Sequence, residues 1–190
     1  MQPAIAEKGL MVLDVTARGK SGHAARNEGE NAIYKLLPDI EWFRTYKFPK
    51  ESPILGPVKM SVTQINAGTQ HNVIPDLCSI VVDIRSNECY SNEELFAEIC
   101  QHIQSEAKAR SFRLNSSSIP SDHPFVKRAI ELGKVPFGSP TLSDQALMPF
   151  PSVKWDRENL RSHTADEYIL VSEIEEAIST YVQILDGLKI

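Results

Sequence analysis

Four short stretches carry the side chains whose types suit catalysis or ligand binding. RSHTADEYI, residues 161–169, sets His163 between Ser162 and Thr164, just ahead of the doublet Asp166-Glu167. An imidazole that ligates a metal needs its second ring nitrogen oriented by an acceptor, which Asp166, Glu167 or a backbone carbonyl can supply. A polar loop that ends in a helix cap accounts for the same residues. In GKSGHAAR, His23 lies in a glycine loop, where an exposed imidazole either donates to a developing oxyanion or is simply hydrated. In GTQHNVIP, His71 and Asn72 stand just before Pro75, and the amide either caps a turn or binds a ligand. Arg85 ends the run DIR, where its guanidinium takes a carboxylate in bidentate fashion or pairs with Asp83.

Other polar groups read as structural. The five histidines are His23, His71, His102, His123 and His163, and no two stand at the spacing that puts two ligands on one helix face. His102 falls within a helix and His123 at a helix start. The doublets Glu93-Glu94 and Glu175-Glu176 fall in the first turns of capped helices, where negative charge meets the helix dipole. Ser21, Ser143 and Ser162 lack the G-x-S-x-G setting of a hydrolase nucleophile. Cys78, Cys89 and Cys100 are spaced by eleven, which matches no zinc ribbon or thioredoxin-type motif and suits a reducing cytoplasm.

The elements that must position these residues follow from periodicity. GLMVLDVTAR alternates, so Met11, Leu13, Val15 and Ala17 share one strand face. After the loop with its three glycines, Ile33, Leu36, Leu37, Ile40 and Phe43 recur at helical spacing, with a kink or split expected at Pro38. PVKMSVTQI and LCSIVVDIR read as two further strands, the second with Cys78, Ile80, Val82 and Ile84 inward and Asp83 and Arg85 outward. Ser91 and Glu94 form a capping box for a helix carrying Leu95, Ile99 and Ile103, and SFRLNSS reads as a closing strand. The order βαββαβ predicts an α+β fold, a ferredoxin-like four-stranded antiparallel sheet with two helices on one face. Beyond residue 118 the texture changes to a short helix at HPFVKRAIELG, a Gly/Pro-rich turn and an apolar piece, FPSVKW. A final helix is expected to begin at Ser172, capped with Glu175, with Ile174, Ala177, Ile178, Tyr181 and Leu185 inward. This smaller α/β part has little core of its own and needs something to pack against.

Composition narrows the function. The net charge of -5 and the pI near 5.6 disfavour a nucleic-acid or anionic-membrane partner, since both require a basic surface. RNA-recognition modules share the βαββαβ order, yet they need exposed sheet aromatics and a basic background, and neither is present. No apolar run approaches the ~18 residues of a membrane span, and MQPAIAEKG lacks the order of a signal peptide. A cytoplasmic protein with a small-molecule or protein partner is expected.

Four separated fragments in order, EKGLMVLDVTARGKSGHAAR with GENAI, INAGTQHNVIPDLCSIVVDIR, GSPTLSD and RSHTADEYI, resemble the acetylornithine deacetylase and succinyl-diaminopimelate desuccinylase family of di-zinc amidohydrolases. The likeness covers nearly the whole chain and is nearest the acetylornithine-type deacylases of arginine biosynthesis. It implies a stub of the catalytic domain at residues 1–8, a lid or dimerisation domain at residues 9–118, and the C-terminal part of the catalytic domain at residues 119–190. It implies that His163 binds one of two zinc ions and that His23 reaches into the neighbouring subunit's active site to steady the tetrahedral intermediate. By the same resemblance Asn72 and Arg85 hold the substrate, the arginine by its carboxylate, and Ser143 and Asp144 belong to the substrate-side loop Thr141 to Asp144. The implied partner is a second copy through the lid, and the implied substrate is an N-acyl amino acid cleaved at its amide by metal-activated water.

The chain departs from that pattern in two places. It lacks the family's upstream His-x-Asp motif, its bridging Asp, the Glu-Glu pair whose first member is the general base, and the further acidic ligand, and one imidazole neither holds a di-zinc centre nor supplies a general base. The Gly-Pro-Gly turn usual before the histidine is replaced by KWDRENLRSH. Two readings from different classes follow: a piece of a metal-dependent amide hydrolase that is silent alone, and a non-catalytic lid module whose behaviour is self-association through its helices or a sheet edge.

Overall fold

The computed structural model describes residues 1–156 and 165–189. In chain order the strands and helices are β1 (Gln2–Glu7), β2 (Met11–Arg18), β3 (Gly22–His23), α1 (Ala32–Thr45), β4 (Lys59–Ala67), β5 (Val73–Ile74), β6 (Leu77–Arg85) and α2 (Asn92–His102), followed by β7 (Glu106–Ala109), β8 (Ser117–Ser118), α3 (Pro124–Glu131), β9 (Phe137–Ser139), β10 (Lys154–Asp156) and α4 (Val171–Leu185).

The four strands of the ferredoxin-like unit lie in the order β4-β6-β2-β7, all antiparallel. Alternation in sequence becomes alternation in space: Met11, Leu13 and Val15 of β2 are fully buried, as are Val82 and Ile84 of β6, while the residues between them are half-exposed. Leu36 and Phe43 of α1 and Leu95 and Ile99 of α2 close over that face in one apolar cluster. Each fully buried aliphatic side chain contributes about 1.5–3 kcal/mol, so this cluster is the main core of the described residues. The capping box forms as expected, with Glu94 N–H donating to Ser91 Oγ at 3.1 Å and Ser91 N–H to the Glu94 carboxylate at 2.8 Å.

Three expectations are corrected. Pro38 neither splits nor ends α1, which runs unbroken from Ala32 to Thr45. Proline leaves the Tyr34 carbonyl without its helical donor, and with Tyr34 71% exposed, water is at hand to solvate it. SFRLNSS is not the closing strand; Glu106–Ala109 is, pairing with β2. The later segment is claimed by a buried amide, because Asn92 Nδ2 donates to the carbonyls of Phe112 at 3.2 Å and Leu114 at 3.0 Å. Leu114 O also accepts Leu10 N–H at 2.8 Å, leaving no regular ladder. The last helix begins at Val171, with Glu173 taking Leu170 N–H at 3.0 Å, so Ser172 is not its cap. Its buried residues are Thr180 and Ile184, Ala177 is half-buried, and Ile174, Ile178, Tyr181 and Leu185 are exposed.

The second sheet joins the two ends of the chain. β1 pairs antiparallel with β10 and β8 and parallel with β9, so the Gly/Pro-rich turn contributes the short strand Phe137–Ser139 and the apolar piece ends in the strand Lys154–Asp156. α3 is capped by His123, whose Nδ1 accepts Phe125 N–H at 3.2 Å. Its core is small, with Ile5, Ile119 and Val126 forming the buried cluster there. No helix among the described residues is long and apolar enough to cross a membrane.

Candidate active site

The glycine loop is folded onto itself before it presents His23. Lys20 and Glu30 exchange backbone hydrogen bonds at 2.9 and 2.8 Å, closing the loop at its base. Gly29 turns back with φ +86°, and a Cβ there would stand 2.6 Å from Lys20 O, so the closure requires glycine. Across this loop β3 pairs with β5, setting His23 opposite Val73, and Ala24 N–H donates to Asn72 O at 2.9 Å. His23 and Asn72, 49 positions apart in the sequence, thus become neighbours at one two-stranded ribbon. Both side chains are exposed. His23 Nδ1 accepts Ala25 N–H at 3.1 Å, which turns Nε2 outward as the nitrogen open to a ligand.

Arg85 lies elsewhere, at the end of β6 on the sheet face opposite the helices. Its guanidinium grips Asp83 with two hydrogen bonds, Nε to Oδ1 at 2.8 Å and Nη2 to Oδ2 at 3.1 Å. Of the two roles open to it in the sequence, the internal pair is the one formed here. The pair is about 30% exposed and lines an open crevice of about 300 Å³ to which Pro140 and Thr141 also contribute. A carboxylate entering this crevice would compete with Asp83 for a geometry already suited to it.

Ser143 and Asp144 open the short 3-10 turn Asp144–Leu147. The Ser143 hydroxyl donates to Glu7 Oε2 at 2.5 Å and its N–H donates to the same oxygen at 3.1 Å, while Asp144 is exposed. Glu7, 1% exposed at the end of β1, also meets Lys154 Nζ at 3.1 Å. This carboxylate was not singled out in the sequence, where it follows the apolar run Ala4 to Ala6 and gives no sign of the serine it ties down. Lys8 and Lys59 were likewise passed over; they line the Arg85 crevice.

His163 lies outside the described residues. Among the described residues no group of three or more His, Cys, Asp or Glu side chains is gathered so as to hold a metal ion. The described donor set therefore does not by itself fit the zinc centre that the resemblance implies.

The family described as peptidase dimerisation domain matches residues 5–111. In sequence the chain is similar to the succinyl-diaminopimelate desuccinylase of Cereibacter sphaeroides, 28% identical over 200 residues, covering 95% of this chain and 52% of that protein. A succinyl-diaminopimelate desuccinylase from a Wolbachia of Brugia malayi is 24% identical over 195 residues, with 95% and 49% covered. In fold the chain is similar to an aminopeptidase from Bacillus cereus, with a TM-score of 0.75 at 18% identity and coverage of 97% of this chain and 53% of that one. A metallo-carboxypeptidase from Sulfolobus solfataricus gives a TM-score of 0.69 at 15% identity, over 97% and 59%. The chain spans about half the length of the curated relatives it matches. Those relatives are named as desuccinylases, so they lend no support to the finer expectation of an acetylornithine deacetylase in arginine biosynthesis.

Proposed function

The chain belongs to the peptidase dimerisation domain family, and from that premise we propose that it is the dimerising, substrate-holding portion of a metal-dependent amide hydrolase acting on N-acyl amino acids in the cytoplasm. Residues 9–118 are the lid, residues 1–8 lead into it, and residues 119–190 are a part of the catalytic domain. The observation that carries this reading is the ribbon that brings His23 and Asn72 together on a unit that also bears Arg85. His23 Nε2 donates to the oxyanion of a tetrahedral intermediate, Asn72 holds the acyl amide, and Arg85 exchanges Asp83 for the substrate carboxylate. Ser143 and Asp144 border the substrate, the serine held in place by Glu7. Zinc bound by His163 with ligands from outside this sequence belongs to the same proposal, and the roles given to the described residues do not depend on it. That the relatives are desuccinylases favours a succinylated amino acid over acetylornithine.

Homodimerisation is supported by the shape of the lid. β4 is an edge strand nine residues long, and Ile65 on it is 56% exposed. Tyr34 and Leu37, exposed on the adjacent α1, widen the apolar surface. The opposite edge, β7, has four residues, EAKA, and is the poorer template for pairing. A second copy meeting β4 satisfies its free backbone groups and covers these side chains.

The test is a chimera in which this chain replaces the matching part of the Cereibacter desuccinylase. The purified 190-residue chain with added zinc is expected to cleave neither N-acetylornithine nor succinyl-diaminopimelate, and the folded chimera to cleave an N-acyl amino acid and lose most of its kcat on His23→Ala. Hydrolysis by the chain alone, or a folded chimera indifferent to His23→Ala, contradicts the proposal.

A further inference from the structure

Strand β8 stands at one end of the second sheet, with no further strand beyond it among the described residues. Its register sets Ser118 opposite Ala6, and Ile119 N–H donates to Ile5 O at 2.9 Å. In an antiparallel ladder that phase makes Ala6 and Ser118 a non-hydrogen-bonded pair, so the N–H and C=O of Ser118 point away from β1. Ser118 is exposed. With Ser117 it lines an open groove of about 420 Å³, to which Gln145, Phe150 and Ser152 also contribute. Gln145 is 7% exposed; its Nε2 donates to Ser152 Oγ at 2.8 Å, while its Oε1 is buried with no hydrogen-bond partner among the described residues. A buried carbonyl oxygen left without a donor is costly, and an entering N–H relieves that cost. Phe150, 61% exposed, adds apolar surface. None of the described residues lining the groove is charged, in a chain of which 24% of the residues are.

These groups suit a ligand that offers both N–H and C=O, lies along a strand and carries no charge. An extended polypeptide backbone has that chemistry. We propose that the β8 groove docks an extended, uncharged internal segment of a partner protein, which adds to the sheet as a strand. One residue of the segment exchanges both backbone hydrogen bonds with Ser118, a further N–H reaches Gln145 Oε1, and a small apolar side chain lies on Phe150. A chain terminus or a charged ligand finds no counter-charge there, and burying an unpaired charge is costly. That separates this groove from the Arg85 crevice, whose guanidinium suits a carboxylate. The docking does not depend on the amide-hydrolase reading. Only its consequence does, since the 3-10 turn that carries Gln145 begins with Asp144, and an occupied groove would brace that turn.

Nuclear magnetic resonance of the isotope-labelled 190-residue chain, titrated with the capped peptide acetyl-Ala-Val-Ala-methylamide, provides the test. The expected Kd is on the order of 1 mM, with shifts at the Ser118 backbone amide and the Gln145 side-chain amide. Methylating the valine nitrogen removes the N–H that pairs with Ser118 O and should weaken binding about tenfold. Ser118→Pro removes the outward N–H at an edge position that proline tolerates, and should weaken binding as much, read at Gln145. Gln145→Met removes the unpaired acceptor and should do the same, read at Ser118. The absence of shifts at both amides at about 10 mM peptide overturns the assignment. Equal binding of the methylated peptide, undiminished binding in either folded variant, or the same shifts from glycerol overturns it too. So do Ser118 shifts that grow with the concentration of the chain alone, because a second copy then fills the groove.

Discussion

Tyr46 donates its phenol hydrogen to the Glu98 carboxylate, bridging the C-terminal end of α1 to the middle of α2, and its ring stacks on Trp42 with centroids 4.5 Å apart. The hydrogen bond to Glu98, with burial and the Glu98 charge behind it, pushes the Tyr46 pKa up to about 12. A folded-state pKa above the unfolded value means that the stabilisation is complete below about pH 10 and is lost as the pH rises through about 12. Ultraviolet titration should therefore find one tyrosine ionising well after the others. Glu98→Gln should bring it back toward the rest, and an unchanged titration would contradict the bridge. At this scale the sequence exposes residue types but not their commitments. His23 and Arg85 stand out as reactive kinds, and Arg85 beside Asp83 even suggests the pair that forms. Nothing local reveals that Glu7 ends on Ser143, or that Lys8 and Lys59 share a crevice, because those meetings join residues 136 and 51 positions apart.

Helix α2 is the element best announced by its residues, and Ser91 is the point at which to test it. Ser91→Ala removes the acceptor of Glu94 N–H and should cost about 1 kcal/mol in urea denaturation at neutral pH. The Ser91 backbone and hydroxyl hold the Glu94 carboxyl below its usual pKa. That contribution is present above the ordinary glutamate range and fades as the pH falls through the lowered value, so the cost of Ser91→Ala should shrink in acid. A cost that stays constant in acid would contradict the reciprocal cap. Elements with a strict period, β2, β6 and α1, were legible because burial on one face leaves an alternating or helical stripe. SFRLNSS misled because its alternation is satisfied by the side chain of Asn92 instead of a neighbouring strand. α4 misled differently. Its strongest apolar stripe, Ile174, Ile178, Tyr181 and Leu185, remains exposed, while contact with α3 and the Lys134–Glu176 pair at 2.9 Å turn Thr180 and Ile184 inward. Periodicity gives a stripe but does not say which neighbour covers it.

Over the whole molecule the two sheets are unequal. The core of the ferredoxin-like unit runs through four strands and two helices, whereas the second sheet gathers Ile5, Ile119 and Val126 beneath a helix with much apolar surface open. That imbalance, with coverage of about half the length of the curated relatives, is what a dimerising lid attached to part of a catalytic domain would present. The βαββαβ order and the sheet it implies could be read from the sequence; the second sheet could not, since β1 pairs with strands more than a hundred residues away, too short to show a period. The central claim is that this chain works as a self-associating lid, and its mass in solution tests this most directly. Sedimentation of the purified protein should give twice the 21.2 kDa of one chain, falling to a single chain when Ile65→Lys places a charge on the β4 edge. A mass of one chain at every concentration, or a dimer unaffected by Ile65→Lys, would contradict the account.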